Sequence, residues 1–210
     1  MPPPAPSTEL RYPRMTVGVM GSAGGHLDPE VLGRMFRLGQ EVARRGHVLI
    51  TGACPGIPHE AVKGAKSEGG FVVGVSPALN FKEHVGKYTS PTRGYDVMIY
   101  TGSGLMGREI ENIRSSDVVV FASGRTGTLG EFAIAYDEGK VIGVLEGTGG
   151  VTGHIPEIVA LVPKKTGATI VSDFDPVRLL DKLEEMYNQR ILPEYLAALA
   201  DADPDGVLEA

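Results

Sequence analysis

The 210-residue sequence has no tryptophan and a single cysteine, Cys54. One cysteine cannot build an intramolecular disulfide framework, and its isolation suits a reducing compartment. Aromatic residues make up 6%, which argues against a platform that stacks single-stranded bases. Positive charge is also short: Lys and Arg number 20 against 26 Asp and Glu, a net charge of −6. Nucleic acid is therefore not an expected partner, because proteins that grip a phosphate backbone carry a basic footprint. No apolar run approaches the roughly 18 residues of a membrane span. The N-terminus, MPPPAPSTELRYPR, is proline-rich rather than basic and then apolar, so it does not read as a signal peptide. The expectation is a cytoplasmic protein without a membrane partner.

Several motifs are missing too. Gly21 is followed by Gly24, not by G-x-G-x-x-G, and Thr51-Gly52 stands where a dinucleotide-binding strand would end in an acid. There is no G-x-x-x-x-G-K-[ST] and no H-E-x-x-H. The five histidines, at 26, 47, 59, 84 and 154, are scattered, so no metal is expected. Neither Ser22 nor Ser123 stands in G-x-S-x-G, which weakens a nucleophilic serine. Cys54 has no evident partner base and reads as a small buried apolar group.

Glycine is what the chain has in excess: 29 residues, about twice the usual share. No G-X-Y period accompanies it, and the glycines separate strongly apolar runs. The body alternates strand-like and helix-like segments. Continuous apolar runs at Thr16–Gly21, Val48–Thr51, Phe71–Ser76, Val97–Tyr100, Val118–Ala122, Val141–Leu145 and Thr169–Ser172 read as strands covered on both faces. Helical patterns run at 28–45, 58–68, 105–115, 128–138, 154–161 and 177–187. Asp28-Pro29 and Asp175-Pro176 are an N-cap followed by a first-turn proline. This alternation predicts an α/β protein: a Rossmann-like, doubly wound, mostly parallel sheet of about seven strands in three α/β/α layers. Residues 1–14 read as an extended leader, 15–190 as the domain, and 191–210 as an acidic tail carrying Asp201, Asp203, Asp205 and Glu209.

More than half of the glycines fall just past the carboxyl end of a strand, where open α/β sheets bind ligands. Glycine there allows tight turns and close backbone approach, and the helices that follow aim free N–H groups at the same rim. A phosphorylated small molecule is the expected ligand. Turns of this kind also use glycine without any ligand, but five such loops together favour one. The segment 102–145 is the most informative. Its loop Ser123-Gly-Arg-Thr-Gly-Thr-Leu-Gly-Glu131 opens a helix, and Arg108 begins the helix before. Arg108 and Glu131 can both face the crevice. From spacing alone a plainer reading is stronger: Thr128-x-x-Glu131 is a capping box, and Arg108 pairs with Glu111 on its own helix.

The segment resembles the LOG superfamily, once labelled lysine-decarboxylase-like, whose hallmark is P-G-G-x-G-T-x-x-E after a strand with an arginine upstream. Gly124, Gly127, Thr128 and Glu131 match the hallmark, and Arg108 matches the arginine, with Arg114, Ser116 and Asp117 in register. Leu49–Ile57 and Gly69–Val75 are similar as well, and the resemblance spans about 16–190. Ser123 stands in place of the proline and Arg125 in place of the second glycine. Gly147-Thr-Gly-Gly150 looks closer to a branch that includes the molybdenum-cofactor carrier proteins.

The resemblance implies cleavage of the N-glycosidic bond of a nucleoside 5′-monophosphate, giving free base and ribose 5-phosphate. Arg108 and Glu131 would be catalytic. Gly21, Ser22, Gly52, Gly107, Ser123, Gly124, Arg125, Thr126, Gly127 and Thr128 would bind the phosphate ligand. No cofactor is required for that reaction, and a homodimer is the usual assembly. The alternative implied is a non-catalytic carrier of molybdenum cofactor, or a nucleotide-binding sensor. Arg125 leaves both open: its side chain either blocks the approach of phosphate or supplies a cation for a larger anion.

Overall fold

The computed structural model describes residues 14–200. The leader, apart from Arg14, and the acidic residues Asp201, Asp203, Asp205 and Glu209 lie outside the described residues.

Seven strands form one parallel sheet: β1 (Thr16–Gly21), β2 (Val48–Thr51), β3 (Phe71–Ser76), β4 (Val97–Tyr100), β5 (Val118–Ala122), β6 (Val141–Leu145) and β7 (Thr169–Asp173). Their order is β4-β3-β2-β1-β5-β6-β7. The chain therefore builds outward from β1 to β4, returns to the centre, and builds outward again from β5. Loops leaving β1 and β5 diverge at that reversal, which opens a crevice above the carboxyl ends of the two strands.

The helices are α1 (Pro29–Arg44), α2 (Ile57–Ser67), α3 (Phe81–Gly86), α4 (Gly104–Arg114), α5 (Thr126–Asp137), α6 (Ile155–Leu161), α7 (Pro176–Met186) and α8 (Leu192–Ala200). Alternation along the central strands sorts them into two layers, because successive side chains leave opposite faces. Val17, Val19, Val118 and Val120 pack with α1, α2 and α7. Met20, Val119, Phe121 and Ile142 pack with Ile113 of α4, Phe132 and Ala135 of α5, and Ile155 of α6. The result is the expected three-layer α/β/α arrangement. Double-sided cover fails at the sheet edges, where Val97 and Ile99 of β4 are exposed.

Not all glycines serve the rim. A Cβ on Gly39 would stand 1.9 Å from the Ala61 carbonyl oxygen, and one on Gly64 would stand 1.9 Å from that of Phe36. These two glycines let the backbones of α1 and α2 touch.

The stretch expected to be a tail begins as structure. A π-helical turn, Tyr187–Ile191, joins α7 to α8. Leu192 and Tyr195 pack against the core, and the Tyr195 hydroxyl donates to Asp117 Oδ1. The other oxygen of Asp117 accepts from the Thr16 amide at 2.7 Å and the Thr16 hydroxyl at 3.0 Å. One carboxylate thus ties α8 to the starts of β1 and β5.

Candidate functional site

A cleft of about 490 Å³ opens at the strand-order reversal. Its floor is made by the loops after β1 and β2, and its far wall by α4 and the first turns of α5. It is lined by every expected site residue except Gly107, Ser123 and Gly124.

Arg108 enters from the second turn of α4 and Glu131 from the second turn of α5. Arg108 Nη1 stands 3.6 Å from Glu131 Oε1. The two residues are only 6% and 7% exposed. The guanidinium lies over Gly52 at the end of β2, where a Cβ would come within 1.7 Å of Nη1. Gly52 thus admits the arginine side chain rather than bringing backbone to an anion. Arg108 Nε is buried with no hydrogen-bond partner among the described residues.

The capping box does not form. α5 starts at Thr126, two residues earlier than the pattern predicts, with Arg125 at the N-cap and no side chain closing the end. Thr128 is then the third helical residue, and its side chain packs against Gly124, whose added Cβ would meet Thr128 Oγ1 at 2.3 Å. Glu111 accepts a 2.9 Å hydrogen bond from Ser103 Oγ, and Arg108 pairs with Glu131 instead. Both plainer readings of this pair therefore give way, leaving a buried Arg–Glu pair facing a cleft.

Burial pushes the Glu131 carboxyl up to about 7; Arg108 works against that shift and Glu109 adds to it. Near neutral pH it populates both the acid and the base, the condition that suits proton transfer. Cys54 also lines the cleft, with its thiol pushed up to about 11 by burial. It is a thiol rather than a thiolate, in keeping with a small apolar group.

Anion-binding capacity sits at the start of α5. The first N–H to reach back to a carbonyl is that of Leu129, to Arg125 at 2.9 Å. The amides of Thr126, Gly127 and Thr128 ahead of it have no acceptor among the described residues. Such amides, with the helix dipole behind them, favour an anion. Arg125 is exposed beside them, with no ion pair among the described residues.

The other expected phosphate donors are already used. The Ser123 amide donates to Thr148 Oγ1 at 2.7 Å, and the Gly124 amide donates to Ser22 Oγ at 3.2 Å. These bonds fix the turn rather than face the cleft. Ser123 adopts φ +56° and Gly124 φ +99°; the first is a left-handed conformation that costs a non-glycine residue roughly 1–2 kcal/mol. Gly107 backs onto Ser103 within α4 and takes no part in the lining.

Sequence reasoning missed Glu109. It lines the cleft, and its carboxylate lies over α5, with oxygens 3.5 and 3.3 Å from where Cβ atoms on Gly127 and Gly130 would be. Burial pushes its carboxyl up as well. The available signal was the i, i+3 spacing of those two glycines, which leaves one face of the helix bare. Among the described residues no cluster of three His, Cys, Asp or Glu side chains could hold a metal ion, and no helix is long and apolar enough to cross a membrane.

Residues 14–179 match the family model described as the SLOG cluster4 family. An uncharacterized protein of Archaeoglobus fulgidus is 36% identical over 132 residues, which cover 63% of this chain and 80% of that protein. Two solved structures are similar throughout the fold. The molybdenum cofactor binding protein of the phototrophic bacterium Rippkaea orientalis is 28% identical with a TM-score of 0.68, covering 83% of this chain and 98% of that one. The molybdenum cofactor carrier protein of Chlamydomonas reinhardtii is 27% identical, also with a TM-score of 0.68, covering 84% and 99%.

Proposed function

We propose that this chain, which belongs to the SLOG cluster4 family, binds a nucleoside 5′-monophosphate in the cleft between β1 and β5 and hydrolyses its N-glycosidic bond. The observation that carries this reading is the buried Arg108–Glu131 pair, 3.6 Å apart, beside the open amides of α5. A site that only held an anion would have no use for a buried carboxylate, which repels anions and costs free energy to desolvate.

In this reading the phosphate lies on the amides of Thr126, Gly127 and Thr128, with Arg125 adding charge at the rim. Arg108 orients the ligand and neutralises part of its charge. As the glycosidic C–N bond breaks, the base leaves with the bonding electrons and positive charge develops on the ribose. Ionised Glu131 stabilises that charge and takes a proton from the attacking water. The hydroxyl adds to the anomeric carbon, and Glu131 passes the water's proton to the departing base, which returns the carboxylate to its ionised form. No cofactor enters this scheme.

The test is a panel of AMP, GMP, CMP and modified adenosine monophosphates, read by both product release and thermal shift. Free base and ribose 5-phosphate from at least one of them, lost in Glu131→Gln, is the expected result. Absence of release from all of them in the unaltered protein overturns the hydrolase.

A second reading is a carrier of molybdenum cofactor. It is favoured by the two solved relatives that bind or carry that cofactor, and by Arg125, whose cation suits a large anionic ligand. Bound pterin released on denaturation, together with micromolar binding and no nucleotide turnover, would select it.

We also propose a cytoplasmic homodimer. α4 exposes Leu105, Met106 and Ile110, Met106 by 81%, and contiguous apolar surface on a folded protein commonly marks an interface.

A further inference from the structure

Beside the Arg108–Glu131 pair stands Glu109, whose charge helps to raise the Glu131 carboxyl. It is half-buried, it lines the same cleft, and among the described residues it makes no ion pair and accepts no hydrogen bond. Arg108, the one buried cation nearby, is turned toward Glu131. A half-buried carboxylate without donors is costly, and this one rests against the bare face that Gly127 and Gly130 leave on α5.

Its position relative to the anion site is defined by the helix. Gly127 contributes one of the open amides, and Gly130 lies three residues further, about 4.5 Å along the axis. The Glu109 carboxylate therefore stands beside the turn whose amides are open, with one oxygen 3.5 Å from where a Cβ on Gly127 would be. A second anion there disfavours bare phosphate. It favours a ligand whose next few atoms carry hydroxyl donors, because a carboxylate accepting O–H bonds makes strong, charge-assisted contacts. The hydroxyl-bearing carbons of a pentose 5-phosphate stand only a few bonds from phosphorus.

We infer that Glu109 is a specificity residue that accepts hydrogen bonds from the sugar hydroxyls of a phosphorylated ribose, so that the cleft selects ribosyl phosphates over other phosphates. This rests on the reading of the cleft as a phosphate-ligand site, and it holds whether or not the ligand is turned over.

Ribose 5-phosphate, 2-deoxyribose 5-phosphate and inorganic phosphate are suitable probes, since none has a glycosidic bond to cleave. Each is titrated by calorimetry into the unaltered protein, Glu109→Ala and Glu109→Gln, with thermal melting to verify folding. The unaltered protein should bind ribose 5-phosphate at least about tenfold more tightly than inorganic phosphate, with the deoxy sugar between them. Glu109→Ala should lose most of that preference while binding inorganic phosphate as well as before or better. Glu109→Gln, which keeps an acceptor without the charge, should fall between. A preference that survives unchanged in Glu109→Ala, or equal binding of all three probes by the unaltered protein, overturns the assignment of Glu109 but leaves the phosphate site standing. If none of the three binds the unaltered protein, the phosphate reading fails and this inference fails with it.

Discussion

Arg108 Nη1 and Glu131 Oε1 stand 3.6 Å apart on neighbouring helices, too far for a direct hydrogen bond yet close enough for the guanidinium to hold the Glu131 carboxyl down against the effect of burial. Removing the arginine leaves a buried carboxylate with no compensating cation. Arg108→Ala should destabilise the fold by about 3 kcal/mol at pH 8, and by less at pH 5, where Glu131 is protonated. Urea denaturation at the two pH values checks this; equal losses would show that the pair is not electrostatically coupled.

The raised Glu131 carboxyl, near 7 against an ordinary 4.5, also predicts a slope of stability with pH. The folded state retains a proton that the unfolded chain releases above about 4.5. Its contribution is thus fully present below 4.5 and is lost as pH rises toward 7 and beyond. Glu131→Gln should flatten that slope and gain about 2 kcal/mol above pH 7, while the proposed hydrolysis is lost. Melting curves from pH 4 to 8 on both proteins would show it.

Gly52→Ala and Gly64→Ala should separate site from scaffold. At Gly52 the new methyl meets the Arg108 guanidinium at 1.7 Å, the far end of a flexible side chain. Ligand affinity should fall at least tenfold with a modest loss of stability. At Gly64 it meets the backbone of Phe36 at 1.9 Å, so α1 and α2 must part. Stability should drop by about 2 kcal/mol, with ligand affinity kept in the molecules that remain folded.

Arg125→Ala should weaken binding of a phosphorylated ligand about fivefold to tenfold, and should reduce the dependence of affinity on salt. Titrations at 50 and 300 mM salt would measure both. Tighter binding in the variant would mean that the side chain obstructs the loop.

In the proposed homodimer, Met106→Glu should shift sedimentation from dimer to monomer, with little change in thermal stability of the monomer. An unaltered sedimentation profile would place any interface elsewhere.

The fold was more legible in the sequence than the site. Strands β1 to β7 show as apolar runs, since burial on both faces demands them, and the Asp-Pro starts of α1 and α7 are visible because each Asp caps its helix. The helix α3 escapes notice because six residues are too few to show a period; only Asn80, which accepts from the Glu83 amide at 3.0 Å, marks its start. α8 is hidden behind a π-helical turn and Pro193. At the site, the residue types pointing to the cleft were readable in Arg108, Glu131 and the glycine loop. The choice between cap and pair was not, since it depends on α5 starting at Thr126 rather than Thr128. Nor was Glu109, whose contact with the bare face of α5 exists only once α4 and α5 are side by side.

The turn after β5 is held by bonds to two other loops, one of which is tied in turn to a third. Gly124 N–H reaches Ser22 Oγ, Ser123 N–H reaches Thr148 Oγ1, Val151 N–H reaches the Gly124 carbonyl at 2.9 Å, and the Ile57 amide reaches the Ser22 carbonyl at 2.9 Å. The loops after β1, β2, β5 and β6 therefore share one hydrogen-bonded web. Changes within that web should be epistatic: pairs such as Ser22→Ala with Thr148→Val should depart from additivity. New ligand preferences in laboratory evolution should then arise first at Leu105, Glu109 and Arg125, which border the web without belonging to it.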